Sequence, residues 1–513
     1  MRLRTLMLLA AALTPVVLGG CHDWLTEEPE DFFSQDNFPA SEADLRIALG
    51  GIDDWYTGGS AQAYFHRGWP MITELPSDQT ITTQTSGSRY EQDSYTLTPE
   101  NEWLWRVWRQ IYGAISQANF LIARIPQMTG VTQDVKDRYL GAAKFHRAFN
   151  HFNAVRVWGS VPLMLTPVTD FSGVTQVTRA SIHDVYAAIV ADLQDAARLL
   201  PVRWPDSQTR DDGRPTRGAA NAMLADAYMN MSGALVGENH WADAAAAAKA
   251  VIDGGAYSLV PNFADLWLIK NKNGPEHIYS IQFQGLKRNL FTCQSRPSGI
   301  GAESCTNYWY STADFMDTFD SLDARKSVTF LTRVNVPLGC TTGTTGCTTY
   351  RYDSLPGFFG DKRPRFPRPM PYYGKFFDAN GSIQNSQNQR TDLNWPIYRY
   401  AEVLLMFAEA ENEANGPTTP AYDAINQVRA RAHLPPLAGL SQDSLRAAVH
   451  QERSWELAFE SKRLFDLKRW GFFYDTLKID PVAKIGIQPY HVLLPIPRRE
   501  IDLDAALGQN PGY

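Results

Sequence analysis

The chain has 513 residues and a mass of 57.5 kDa, with 44% hydrophobic and 20% charged residues, which excludes a wholly disordered, collagen-like or multi-span membrane protein. Net charge is −7, and −9 once Arg2 and Arg4 go with the first twenty residues, so a general attraction to nucleic-acid phosphates is excluded as a first reading. Aromatic residues, at 12% with 14 Trp and 22 Tyr, are the one compositional excess.

Arg2 and Arg4 precede an apolar run from Leu6 to Leu18 that is broken by Pro15 and too short to span a bilayer as a helix, so residues 1–20 read as a signal peptide. Leu18-Gly19-Gly20-Cys21 resembles the lipobox of bacterial lipoproteins. Cys21 would then carry the acyl chains, palmitate among them, as the only membrane anchor, with 21–40 as an acidic tether. A soluble exported protein cleaved nearby is the rival reading. Removing Cys21 leaves an even set, Cys293, Cys305, Cys340 and Cys347, as suits an oxidising compartment. Three pairings are open, and the short loops favour Cys293 with Cys305 and Cys340 with Cys347. Zinc is disfavoured because no tight two-residue spacing and no neighbouring His accompanies them, so no metal is expected.

From 41 to 260 the apolar spacing predicts a helical scaffold: Trp103 to Ile125, Val135 to Trp158, Ile182 to Leu200, Gly218 to Met231 and Trp241 to Ile252. Ala225, Tyr228, Trp241, Ala244 and Ala248 loosely match the small and aromatic positions of tetratricopeptide helix pairs. The fold class expected is therefore mainly α, a superhelix of helix pairs with few short strands. Between 261 and 395 the periodicity fades into a variable, loop-rich insertion. Its stretch from Tyr350 to Phe377 is dense in aromatic residues and Pro, and carries Arg351, Lys362, Arg363, Arg365, Arg368 and Lys375 against Asp353 and Asp361. Helical pattern resumes over 396–471, as Tyr398 to Asn415, Tyr422 to Ala432 and Leu445 to Trp470, and 472–513 is irregular.

Two of these helices carry acids on their apolar faces. Glu402 and Glu409 lie within about 40° of Tyr398 at 100° per residue. Glu452, Glu456 and Glu460 follow one another at four-residue steps. Carboxylates facing inward must be protonated or paired. A glycosidase, whose two carboxyls act as acid and as base or nucleophile, is one reading. The favoured one is a structural ion-pair network, because Arg399, Arg429, Arg431, Arg453 and Arg463 lie on neighbouring segments. No phosphate loop, His-Glu-x-x-His or Gly-x-Ser-x-Gly occurs, and the ten His read as surface or half-buried residues. No catalytic residue and no cofactor is expected.

Several segments resemble one family. Cys21 to Leu25 followed by Pro29, and Glu74-Leu-Pro-Ser-Asp78, are similar to the mature start and early acidic turn of SusD/RagB lipoproteins. Tyr398 to Glu413, Ile425 to Ala432, Glu452 to Trp470, Leu494 to Pro497 and Gln509 to Tyr513 follow the family's C-terminal pattern. The resemblance implies an outer-membrane, surface-exposed lipoprotein that binds a nutrient, often an oligosaccharide, and passes it to a SusC-like TonB-dependent transporter. Sugar rings offer an apolar C–H face and a hydroxyl rim, so a site needs stacking aromatics beside polar groups. By resemblance those come from the loop before the first long helix, here Trp69, Arg89 and Tyr90, and from the insertion, here Tyr308, Trp309, Tyr310 and Phe358. A surface protein without a small ligand is the remaining alternative.

Overall fold

Side-chain caps fix where most of the helices begin. In the computed structural model, which describes residues 38–58, 64–82, 84–168, 176–207, 212–283, 308–336, 343–351, 370–376 and 392–513, Ser41 opens α1 (Glu42–Thr57) through a capping box with Asp44. Asn101 caps α2 (Glu102–Arg124), Thr132 caps α3 (Gln133–Trp158), Ser181 caps α4 (Ile182–Leu199) and Thr216 caps α5 (Arg217–Met231). Each cap oxygen accepts a backbone N–H that the first turn leaves unpaired. Helix α6 (Trp241–Asp253) follows without a side-chain cap. Past the insertion come α7 (Tyr400–Asn415), α8 (Thr419–Arg431), α9 (Gln442–Glu456) and α10 (Arg463–Arg469). Gly159 and Gly416 end α3 and α7 at φ +74° and +82°, where a side chain would be strained.

Helix α1 packs on α2, and from α2 each helix lies against the next as far as α7, which also carries α8 and α9. That serial packing is a tetratricopeptide-like superhelix, the mainly α architecture expected. The stack continues from α6 to α7 although more than a hundred residues intervene. The strands are β1 (Thr80–Thr82), β2 (His277–Ile281), β3 (Trp309–Ser311), β4 (Phe330–Leu331), β5 (Arg333–Val336), β6 (Thr348–Arg351), β7 (Tyr372–Tyr373) and β8 (Trp395–Arg399). They form antiparallel pairs β1–β3, β2–β8, β4–β7 and β5–β6. The β2–β8 pair closes the base of the insertion and returns the chain beside the helix it left.

Three expectations change. Leu445 to Trp470 is two helices, not one. The chain turns between Glu456 and Arg463 with Phe459 and Ser461 at φ +64° and +57°. There the Phe459 ring stacks on Tyr373 at 3.6 Å and the Ser461 N–H donates to Glu74 Oε2 at 2.8 Å, so tertiary contacts override a continuous helical period. Tyr398 belongs to β8 rather than to the helix after it, and its hydroxyl donates to Asp226 Oδ2 at 2.9 Å. Finally, His66, His146, His151, His277 and His491 are buried rather than superficial. Burial pushes His146 down to about 3 and His151 to about 4, so both stay neutral.

Candidate functional site

Strand β3 sorts the aromatic residues proposed for the site. Trp309 lies opposite Thr82 and is buried within the main core. Tyr310, on the other face, is covered by Tyr372, with ring centres 4.4 Å apart and the Tyr372 hydroxyl donating to its oxygen at 2.8 Å. Trp69 is also a core residue, stacked on Phe465 at 5.8 Å. These three are corrections: a ring enclosed on its faces by protein offers no platform to a sugar. Strand alternation did not leave one ring outside, because Tyr372 covers Tyr310 on one face of this short strand and the main core takes Trp309 on the other.

Tyr308, one residue before the strand, is half-buried. Its carbonyl accepts a hydrogen bond from Thr82 Oγ1 at 3.1 Å, which fixes it at the edge of the β1–β3 pair. Arg89 and Tyr90, both half-buried, stand on the short helix Ser88–Asp93. The Arg89 guanidinium lies 3.8 Å from the Tyr308 ring centre and donates to Gln84 Oε1 at 3.4 Å. Its Nε–H has no partner among the described residues. Burial pushes Arg89 down from the usual guanidinium range while the Tyr308 phenol pushes it up. A ring at the surface, a planar cation over it and an amide beside it together offer stacking area and hydrogen-bond donors. Gln84 was not among the residues singled out, and nothing in its sequence setting marks it. Phe358 lies outside the described residues, as do Cys21, Cys293, Cys305 and Cys340. Cys347 is disulfide-bonded, to a cysteine outside the described residues.

The inward acids occupy a different place. Glu456, fully buried, accepts from Arg399 at 2.9 Å, Arg431 at 2.5 Å and Arg325 at 3.1 Å. Glu276 bridges Arg399 and Arg431, both at 2.8 Å. Glu460 takes Arg399 at 2.7 Å and Lys375 at 2.8 Å, while Glu452 takes Arg325 at 2.6 Å and Arg429 at 3.0 Å. With Asp323 on Arg325, the cluster holds five carboxylates and five cations, so it is neutral as a whole. The guanidiniums hold Glu456 well below the usual carboxylate range despite its burial. Beside it, Glu402 pairs with Lys462 at 2.9 Å, Glu409 pairs with Arg469, and Arg463 reaches Asp78 at 2.7 Å. Acids this enclosed and this fully paired have no route to an incoming substrate. Asp78, Glu276, Asp323, Arg325, Lys375, Lys462 and Arg469 are partners that sequence reasoning did not assign to the network. Lys375 belongs to the basic Tyr350 to Phe377 stretch, yet its ammonium is spent inside this lattice.

Sequence and structural comparisons follow the same outline. A family model for the SusD family matches residues 243–513, and one described as "Starch-binding associating with outer membrane" matches residues 24–229. A SusD-like protein of Formosa agariphila is 26% identical over 533 residues, covering 96% of each chain. The crystal structure of a SusD homolog from Bacteroides thetaiotaomicron superposes with a TM-score of 0.80 at 23% identity, over 93% of this chain and 98% of that one. A laminarin-binding SusD-like protein superposes with a TM-score of 0.73 at 23% identity, over 92% and 99%. With both terminal anchors, the helix-pair superhelix and a family match over its C-terminal half, the chain belongs to the SusD family.

Proposed function

We propose that this protein is a lipid-anchored, surface-exposed protein of the outer membrane that binds an oligosaccharide and passes it to a SusC-like TonB-dependent transporter, without catalysis and without a cofactor. The observation that carries the reading is the half-buried Arg89–Tyr308 pair, 3.8 Å apart, with Gln84 bonded to Arg89 and Tyr90 next to it on the same short helix. Tyr308 stacks on the C–H face of a sugar ring, and Arg89 and Gln84 donate to its hydroxyls. The laminarin-binding SusD-like protein of similar fold and the match to a starch-binding, outer-membrane-associated family support a glycan as the nutrient. Residues 1–20 act as the signal peptide, Cys21 as the lipidated residue and 21–40 as the tether; 41–260 and 396–471 form the scaffold that carries the 261–395 insertion, with 472–513 closing the chain.

Affinity electrophoresis through gels holding laminarin, starch and a panel of other polysaccharides tests the binding. At least one polysaccharide should retard the wild-type protein but not Tyr308→Ala, and incubation should release no reducing ends. Retardation by none, or release of reducing ends, contradicts the reading. Fractionation tests the anchor separately: Cys21→Ala should move the protein from the membrane to the soluble fraction, and its persistence in the membrane would refute lipidation there.

A further inference from the structure

A second concavity lies on the helical scaffold, outside the insertion. Among the described residues it is lined by Trp55 of α1, Trp108, Arg109, Tyr112 and Gly113 of α2, Pro162, Met164 and Val177, and Glu500, Leu503, Asp504 and Leu507 near the C-terminus, with a volume of about 540 Å³. Its floor is built closely: a Cβ on Gly113 would come within 2.7 Å of the Trp55 indole, so only glycine lets that ring lie against α2. The Tyr112 hydroxyl is committed to the Pro162 carbonyl at 3.0 Å, and Trp108 packs against Tyr112 at a tilt of 37° with ring centres 4.8 Å apart. Leu503 stands at the rim, 73% exposed, although it is apolar. A pocket of this size with an apolar lining and few polar groups is the usual form of a small-molecule site.

The charges at the pocket are not equivalent. Asp504 is turned to the backbone, accepting from Val177 N at 2.7 Å and Ala506 N at 3.0 Å. Burial pushes the Glu500 carboxyl up from the ordinary value, with the neighbouring Trp105 and Trp108 indoles acting the other way. Arg109 is exposed and has no ion pair among the described residues; its guanidinium lies 5.7 Å from the Trp105 ring centre. Arg499, likewise without an ion pair among them, lies 4.3 Å from the same ring. Asp504 is thus satisfied by the backbone, burial disfavours charge on Glu500, and among the described residues the lining charge without an ion pair is the positive one of Arg109. From this geometry we infer a second ligand site that takes a small amphipathic carboxylate, its aryl or acyl body on Trp55, Tyr112, Met164 and Leu507 and its anionic head on Arg109. The inference does not depend on glycan binding at Tyr308.

Isothermal titration of the full chain with 3-phenylpropanoate and with decanoate, each beside its uncharged alcohol, tests this. At least one acid should bind with one-to-one stoichiometry and about tenfold more tightly than its alcohol. Which acid binds tells an aryl from an acyl ligand. Arg109→Gln should erase the preference for the acid while leaving the alcohol's affinity, and Leu503→Glu should weaken the acid about tenfold. Both side chains are exposed, so the thermal midpoint should stay within about 2 °C of wild type. The inference is overturned if neither acid gives heat at about 1 mM, if the alcohols bind as tightly, or if both variants bind like wild type.

Discussion

Tyr308 and Trp309 are chain neighbours with opposite roles. Trp309 fills the core, so Trp309→Ala should cost about 3–5 kcal/mol in denaturant unfolding. Its indole Nε–H has no partner among the described residues, so Trp309→Phe should cost far less. Tyr308→Ala, at a half-buried edge, should cost under about 1 kcal/mol. A stable Trp309→Ala protein would contradict the packing. The composition and the resemblance pointed to this Tyr-Trp-Tyr cluster, but not to which ring faces out. That depends on Tyr372 and on a strand pairing with Thr82, both far along the chain. Glu74 poses a second test at this scale. It is buried and bonded to the Ser461 N–H and to Thr80 Oγ1, and burial raises its carboxyl to about 7 from 4.5. The folded protein then keeps a proton that the unfolded chain releases, so this residue's contribution to stability falls as pH rises from 4.5 to about 7. Between pH 5 and 8, Glu74→Gln should therefore gain on wild type by on the order of 2 kcal/mol, read from unfolding at each pH. A difference that does not vary with pH would contradict the assignment.

At the scale of elements, the starts of α2 to α5 were legible because Asn101, Thr132, Ser181 and Thr216 precede apolar periods of ordinary helix length. The inward-facing glutamates of α7 and α9 were legible too, as acids where the period demands apolar residues. Their partners were only half legible. Arg429 and Arg431 are near in sequence, whereas Glu276, Arg325 and Lys375 arrive from the insertion, which no helical period could place. The break between α9 and α10 was invisible because Leu445, Val449 and Leu467 keep the helical period through it. Glu456 is the hub of the lattice, so Glu456→Gln should destabilise by about 3–5 kcal/mol by leaving buried guanidiniums unbalanced. By contrast Arg498 and Asp502 pair in solvent, at 57% and 56% side-chain exposure, and Asp502→Ala should change stability by less than about 0.5 kcal/mol. Equal effects of the two substitutions would mean that burial does not set the strength of these pairs.

Over the whole molecule, the chain forms one superhelix, interrupted between α6 and α7 and closed across the gap by β2 and β8. The scaffold presents the insertion's Tyr308 to the Arg89 helix, joining parts of the chain more than two hundred residues apart into one surface. The central claim is that this surface, and neither the buried aromatics nor the buried acids, recognises a glycan. Titration calorimetry with an oligosaccharide of whichever polysaccharide retards the protein tests it most directly, comparing wild type with Tyr308→Ala and Trp309→Phe. The account predicts at least about tenfold weaker binding for Tyr308→Ala and near wild-type affinity for Trp309→Phe. Unchanged affinity in Tyr308→Ala would contradict it.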